Sequence, residues 1–145
     1  MDPVALVDAT IRVLDEARFR PHAILISFDW RALRHAQKVA PDIPTGYITI
    51  QQGSSDNVRL GQPGISPWMA DIDVAAHGSV PKAVKAAGGA YWSSFHRDLT
   101  PAALAEARAL GLGVNVWTLR VRRDLEPIRT VAPDFVTTDR PDWLK

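Results

Sequence analysis

Residues 112–144, LGVNVWTLRVRRDLEPIRTVAPDFVTTDRPDWL, decide the fold. The apolar run Val114 to Thr118 predicts a strand. Asp124 to Val131 has the spacing of a short helix, and Asp134 to Thr138 reads as a second strand. Together they read as one βαβ unit, in which a crossover helix joins two parallel strands. Both strands end in polar residues, at Trp117-Thr118 and Thr138-Asp139. In an α/β barrel, that end of each strand is where chemistry is done.

The same alternation extends back through the chain. Pro3 to Ala17 places Val4, Leu6, Val7, Ile11 and Leu14 near helical spacing, with Pro3 suited to the first turn. Ala23 to Phe28 is a continuous apolar run, expected to be a strand covered on both faces. A helix follows over Asp29–Val39, stopped by Pro41 and Pro44, and Gly46 to Ile50 is strand again. Residues 51–78 form a long irregular loop, a feature that is usually functional or mobile. Ser79-Val80-Pro81 opens a helix that Gly88-Gly89 closes, and Gly89 to Phe95 is the third strand. Thr100-Pro101 caps a helix over Ala102–Leu110, ended by Gly111. The order α-β-α-β-α-β-α-β-α-β predicts a parallel sheet with right-handed crossovers. From pattern alone, a small open sheet and part of a barrel both fit. No glycine-rich phosphate turn follows the first strand, which weakens a nucleotide-binding open sheet.

Composition narrows the function. The chain has 145 residues, which suits one domain but falls short of the roughly 250 of a complete eight-stranded barrel. A net charge of +1, with scattered Lys and Arg, gives no basic stripe for nucleic acid. With no cysteine, disulfides, thiolate metal sites and cysteine nucleophiles are excluded. No apolar stretch is long enough to span a membrane. The N-terminus reads as an amphipathic helix rather than a signal peptide, so the cytoplasm is the default expectation.

Several short segments, taken in order, resemble the C-terminal half of the glycerophosphodiester phosphodiesterase family. They are Ile24-Leu25-Ile26-Ser27-Phe28-Asp29 with Leu33, Ala40-Pro41-Asp42-Ile43-Pro44, Gly88-Gly89-Ala90-Tyr91-Trp92 and Leu99-Thr100. Ala107 to Gly111, Val114-Asn115-Val116-Trp117-Thr118 and Thr138-Asp139-Arg140-Pro141 complete the set. Each is weak alone; their order along nearly the whole chain is the signal.

The resemblance implies a partial TIM barrel, residues 1–145 supplying about the last five strands with their helices. It implies a metal-dependent hydrolysis of glycerophosphodiesters to an alcohol and glycerol 3-phosphate. The family's proton-transfer histidines lie in HRG and HD motifs, and its calcium or magnesium is held by ExD and IExK carboxylates. All of these precede the segment equivalent to Ile24, and none has a counterpart here. The sequence itself has no His-Arg-Gly, no His-Asp pair and only three glutamates, all in predicted helices. The chain alone is therefore expected to hold no cation and to lack the activity, and a separate N-terminal half-barrel or a homodimer would close it. A non-catalytic half-barrel used for binding or assembly is the alternative.

The resemblance makes Trp117 a wall of the glycerophosphodiester pocket; a buried barrel aromatic is the other reading. Ser27 and Phe28 match a mouth motif, although Ser27 would equally cap the next helix. Arg120 stands where the family has Asn, adding phosphate affinity or marking relaxed constraint. Asp139 is expected to orient the closing turn. Asp71, Asp73 and His77 have a spacing compatible with a metal, but a solvated loop is the commoner meaning. His96 and Arg97 follow the third strand, where His96 is a candidate acid or base by geometry, but it reads more simply as a surface histidine. His22 and His35 carry no signal.

Overall fold

The computed structural model describes residues 2–144. Helix α1 spans Pro3–Glu16 and starts on the Asp2 carboxylate, which accepts from the Val4 amide. Strand β1, Leu25–Ser27, leads into α2, Trp30–Val39, with Asp29 as cap, and then β2, Thr45–Thr49. A single-turn α3, Val74–His77, precedes α4, Val80–Ala86, and β3, Tyr91–Phe95. The chain continues through α5, Pro101–Ala109, β4, Gly113–Leu119, α6, Leu125–Val131, and β5, Phe135–Thr138. The capping residues read from the sequence do their work: the Ser79 and Thr100 hydroxyls each accept an amide of their helix's first turn.

The strands form one sheet in the order β1-β2-β3-β4-β5, every pair parallel. Sequential order is the arrangement of a barrel wall; an open doubly wound sheet would reverse at a switch point. Side chains alternate across the strands. Tyr47, Trp92, Val114 and Val116 face the helices and are fully buried there with Trp30, Leu33, Val84 and Leu104. Tyr47 donates its hydroxyl to the Ala87 carbonyl, and burial pushes its pKa up to about 12. A second cluster, built from Val7, Ile11, Ala32, Ala36 and Ile43, fastens α1 to α2.

The opposite face is a concave trough, and here the sequence expectation for residues 23–28 needs correcting. Ile24 and Ile26 are exposed, Ile26 at 60%, because no strand or helix among the described residues covers the inward side of β1. Phe135 on the other edge is 50% exposed. The trough floor interleaves large and absent side chains. A Cβ on Gly46 would lie 2.9 Å from Ile26 Cγ2, and one on Gly113 would lie 2.5 Å from the Tyr91 ring. Such alternation of size lets barrel interiors interdigitate. This is a curled half-barrel, helices outside and a bare interior within.

The long loop is more ordered than its composition suggests. Val58, Met69 and Ile72 are buried in the main core. Asn57 accepts from the Ile50 amide at 2.8 Å and donates to the Ile48 carbonyl, while Ser66 donates to the Asn57 carbonyl. The segment is packed down over the ends of β2 and α2.

Candidate active-site wall

Parallel strands place all their C-terminal ends at one rim of the trough. Register pairs Phe95 of β3 with Trp117 of β4, and period-two alternation turns both inward. Their rings meet at 5.3 Å, and Phe28, just past β1, makes an edge-on contact with Trp117 at 5.2 Å. The Trp117 indole N–H donates to the Ser93 carbonyl at 3.1 Å, which fixes the ring's tilt. The Trp117–Thr118 peptide bond is cis, and the register with β5 shifts between Val116 and Leu119. Below this aromatic rim runs a polar row. Asn115 donates to the Ser93 hydroxyl at 2.7 Å and to the Thr137 hydroxyl at 3.1 Å.

A cleft of about 280 Å³ adjoins the rim, between the ends of β3 and β4. Phe95, His96, Trp117, Arg120 and Asp124 are among its lining residues. His96 corrects its sequence reading as a surface histidine, since its side chain is 8% exposed. Its backbone N–H donates to the Trp117 carbonyl at 3.0 Å, which draws the ring in beside Phe95. His96 Nε2 faces the Asp124 carboxylate at 3.9 Å, and burial lowers the imidazole pKa. Asp124, read from sequence only as a helix start, lies 28 positions from His96, a separation that carries no local signal. Phe95 was also missed as a site residue, although a signal for it exists: Ser93/Phe95 and Asn115/Trp117 share one inward alternation.

The structure brings Trp117 and Phe28 together and puts Arg120 in the cleft beside Trp117. Arg120 also pairs with Asp139 at 3.3 Å, both exposed, so Asp139 ties the closing turn to the end of β4. Ser27 lies apart, in the groove between α1 and α2, where its hydroxyl accepts from the Asp29 amide at 3.0 Å. The helix cap itself is Asp29, whose carboxylate the Arg31 hydrogen bond holds below the usual range. In the long loop, Asp73 caps α3 and Asp71 faces Arg34 at 3.7 Å, so both carboxylates have local structural partners. Among the described residues no three His, Asp or Glu side chains converge as metal ligands. No helix among them is long and apolar enough to cross a membrane.

Searches with the sequence match no family model and no curated protein. Solved structures do match. A protein from Silicibacter pomeroyi, assigned as a glycerophosphoryl diester phosphodiesterase, superposes with a TM-score of 0.79 at 30% identity, over 97% of this chain and 42% of its own. This chain has a partial glycerophosphodiester phosphodiesterase-like fold. A glycerophosphodiester phosphodiesterase from Parabacteroides distasonis matches 97% of the chain with a TM-score of 0.70 at 18% identity, using 48% of its own length. A phosphodiesterase from Oleispira antarctica, solved with the product sn-glycerol-3-phosphate, gives 0.65 at 16% identity, over 96% of this chain and 47% of its own. The phosphodiesterase-like half-barrel thus spans about half the length of the structures it matches.

Proposed function

We propose that residues 1–145 are the C-terminal portion of a glycerophosphodiester phosphodiesterase barrel and supply walls of its substrate pocket. The observation that carries this reading is the half-barrel itself: five sequential parallel strands whose inward face, an aromatic and aliphatic floor crossed by one polar row, is glycine-relieved and open. An unpaired parallel edge at β1 and another at β5 call for further strands.

In this reading the reaction is hydrolysis of a glycerophosphodiester to an alcohol and glycerol 3-phosphate. Trp117, with Phe28 and Phe95, presents an aromatic wall to the glycerol and alcohol moieties, and Arg120 stands where it can approach a phosphate. Ser27 acts one step back, shaping the turn that carries Phe28. Proton transfer and a calcium or magnesium ion belong to residues this chain does not carry. Its glutamates, Glu16, Glu106 and Glu126, all sit on helices and none at a strand end. A hard cation would need several oxygen ligands converging from rigid positions.

Co-expression with a segment bearing the HRG, ExD, HD and IExK motifs tests the reading. The expected outcome is a soluble pair that hydrolyses glycerophosphocholine with calcium or magnesium. A pair that assembles yet stays inert would count against it.

A second reading, a non-catalytic half-barrel that closes on another copy of itself, draws on the same exposed Ile24, Ile26 and Phe135. It predicts a stable homodimer in sedimentation, indifferent to metal. A monomer, or a chain that aggregates until the complementary half is supplied, would remove it.

A further inference from the structure

The cleft behind Trp117 has more cationic lining than a substrate wall needs. Arg97, Arg120 and Arg123 line it, against the single carboxylate of Asp124. That carboxylate is 13% exposed and directed at His96. Arg97 and Arg123 are exposed and form no ion pair among the described residues, and the Arg120–Asp139 pair is exposed on both sides and easily exchanged. Of the neighbouring charges, Asp98 is occupied by the Gln51 amide and the Gln52 side chain. Arg122 lies over the Trp143 ring. His96 is the second observation: its side chain is more than nine-tenths buried, lines the cleft and makes no hydrogen bond among the described residues. At 3.9 Å the Asp124 carboxylate is beyond hydrogen-bond reach of Nε2.

We propose that this cleft is an oxyanion subsite, taking a terminal phosphate group between Arg97 and Arg123, with Arg120 closing over it and the His96 imidazole at its floor. Guanidinium groups suit this task because their planar N–H donors match phosphate oxygens in pairs. Three cations facing one inward-turned carboxylate favour a dianion over the monoanion of a diester. About 280 Å³ holds a phosphate and a small organic substituent, which would lie on Phe95 and Trp117. The subsite shares Phe95, Trp117 and Arg120 with the proposed substrate wall, but it concerns binding only, and a phosphate titration tests it without requiring hydrolysis.

Titration of the full chain with inorganic phosphate, phenyl phosphate and dimethyl phosphate, followed by NMR of the arginine side chains and the His96 ring, tests it. Saturable shifts confined to Arg97, Arg120, Arg123 and His96 are expected, with dimethyl phosphate the weakest ligand. Tighter binding of phenyl phosphate would identify an organic monoester, and equal binding free phosphate; each supports the subsite. The double variant R97Q/R123Q, altering two exposed side chains, should weaken binding about tenfold or more, while D139N, which frees Arg120, should preserve or tighten it. Shifts reproduced by chloride at equal ionic strength, a preference for dimethyl phosphate, or indifference to R97Q/R123Q would overturn the proposal.

Discussion

The two faces of the sheet are built by the same strands yet differ in finish. Trp92, Tyr47, Val114 and Val116 on the helix side are sealed, each 0–1% exposed. Tyr91, Asn115 and Phe135 on the inward side line an open trough of about 250 Å³. The polar content differs too. Outward, Trp92 donates to the Thr49 hydroxyl at 2.9 Å inside the buried core. Inward, buried Ser93, half-buried Asn115 and exposed Thr137 form a row that runs out to water at β5. One face therefore carries the stability, and the other is available for whatever the half-barrel meets.

Paired substitutions would break or sharpen that contrast. The largest effect is expected from Trp92→Ala, which opens a cavity in the sealed core and should cost roughly 3–5 kcal/mol in urea unfolding. Phe135→Ala, on the open face, should cost under about 1 kcal/mol; equal losses would mean that the trough is covered in solution. Two glycines repeat the comparison at smaller scale. A Cβ on Gly89 meets Val84 and Tyr47 at 2.7 and 2.8 Å and the Val84 carbonyl at 3.0 Å, within the sealed layer. Gly89→Ala should therefore cost about 1–3 kcal/mol. Gly113→Ala should cost less, because the Tyr91 ring has open trough to retreat into.

Acidification separates a third pair. Burial holds His96 below its ordinary value of 6.5, so the unfolded chain binds that proton first. Its contribution is complete above pH 6.5 and is lost as pH falls through the depressed folded value. Asp134, held below 3.8 by the Val114 amide and Arg108, keeps its contribution above 3.8 and loses it only in stronger acid. Urea midpoints against pH should show both descents, and His96→Gln should erase the upper one alone. The smallest effect is at the rim: Asp139→Asn breaks an exposed pair and should change stability by less than about 0.5 kcal/mol.

The fold was legible because its punctuation is local. Pro3, Asp29, Ser79 and Thr100 start helices, and Gly88 and Gly111, both at positive φ, follow helix ends. The strand at Ile24–Phe28 misled because an apolar run records that two faces suit burial, not that both are covered in this chain. The loop over 51–78 is irregular as its composition suggests, but the burial of Val58, Met69 and Ile72 in the core was not legible, because they reach it without periodicity. At the rim, Trp117 and Phe28 came from a motif and do meet. His96 stood out by its place after β3, but its neighbour Asp124 came from neither motif nor spacing, since the turn after β4 is what brings position 124 back to the end of β3.

Phosphorus NMR of the purified 145-residue chain with glycerophosphocholine and calcium or magnesium tests the central claim most directly. If this half-barrel supplies only the wall of a phosphodiesterase pocket, the diester signal persists unchanged. Appearance of glycerol 3-phosphate, dependent on the metal and on this chain, would contradict the account.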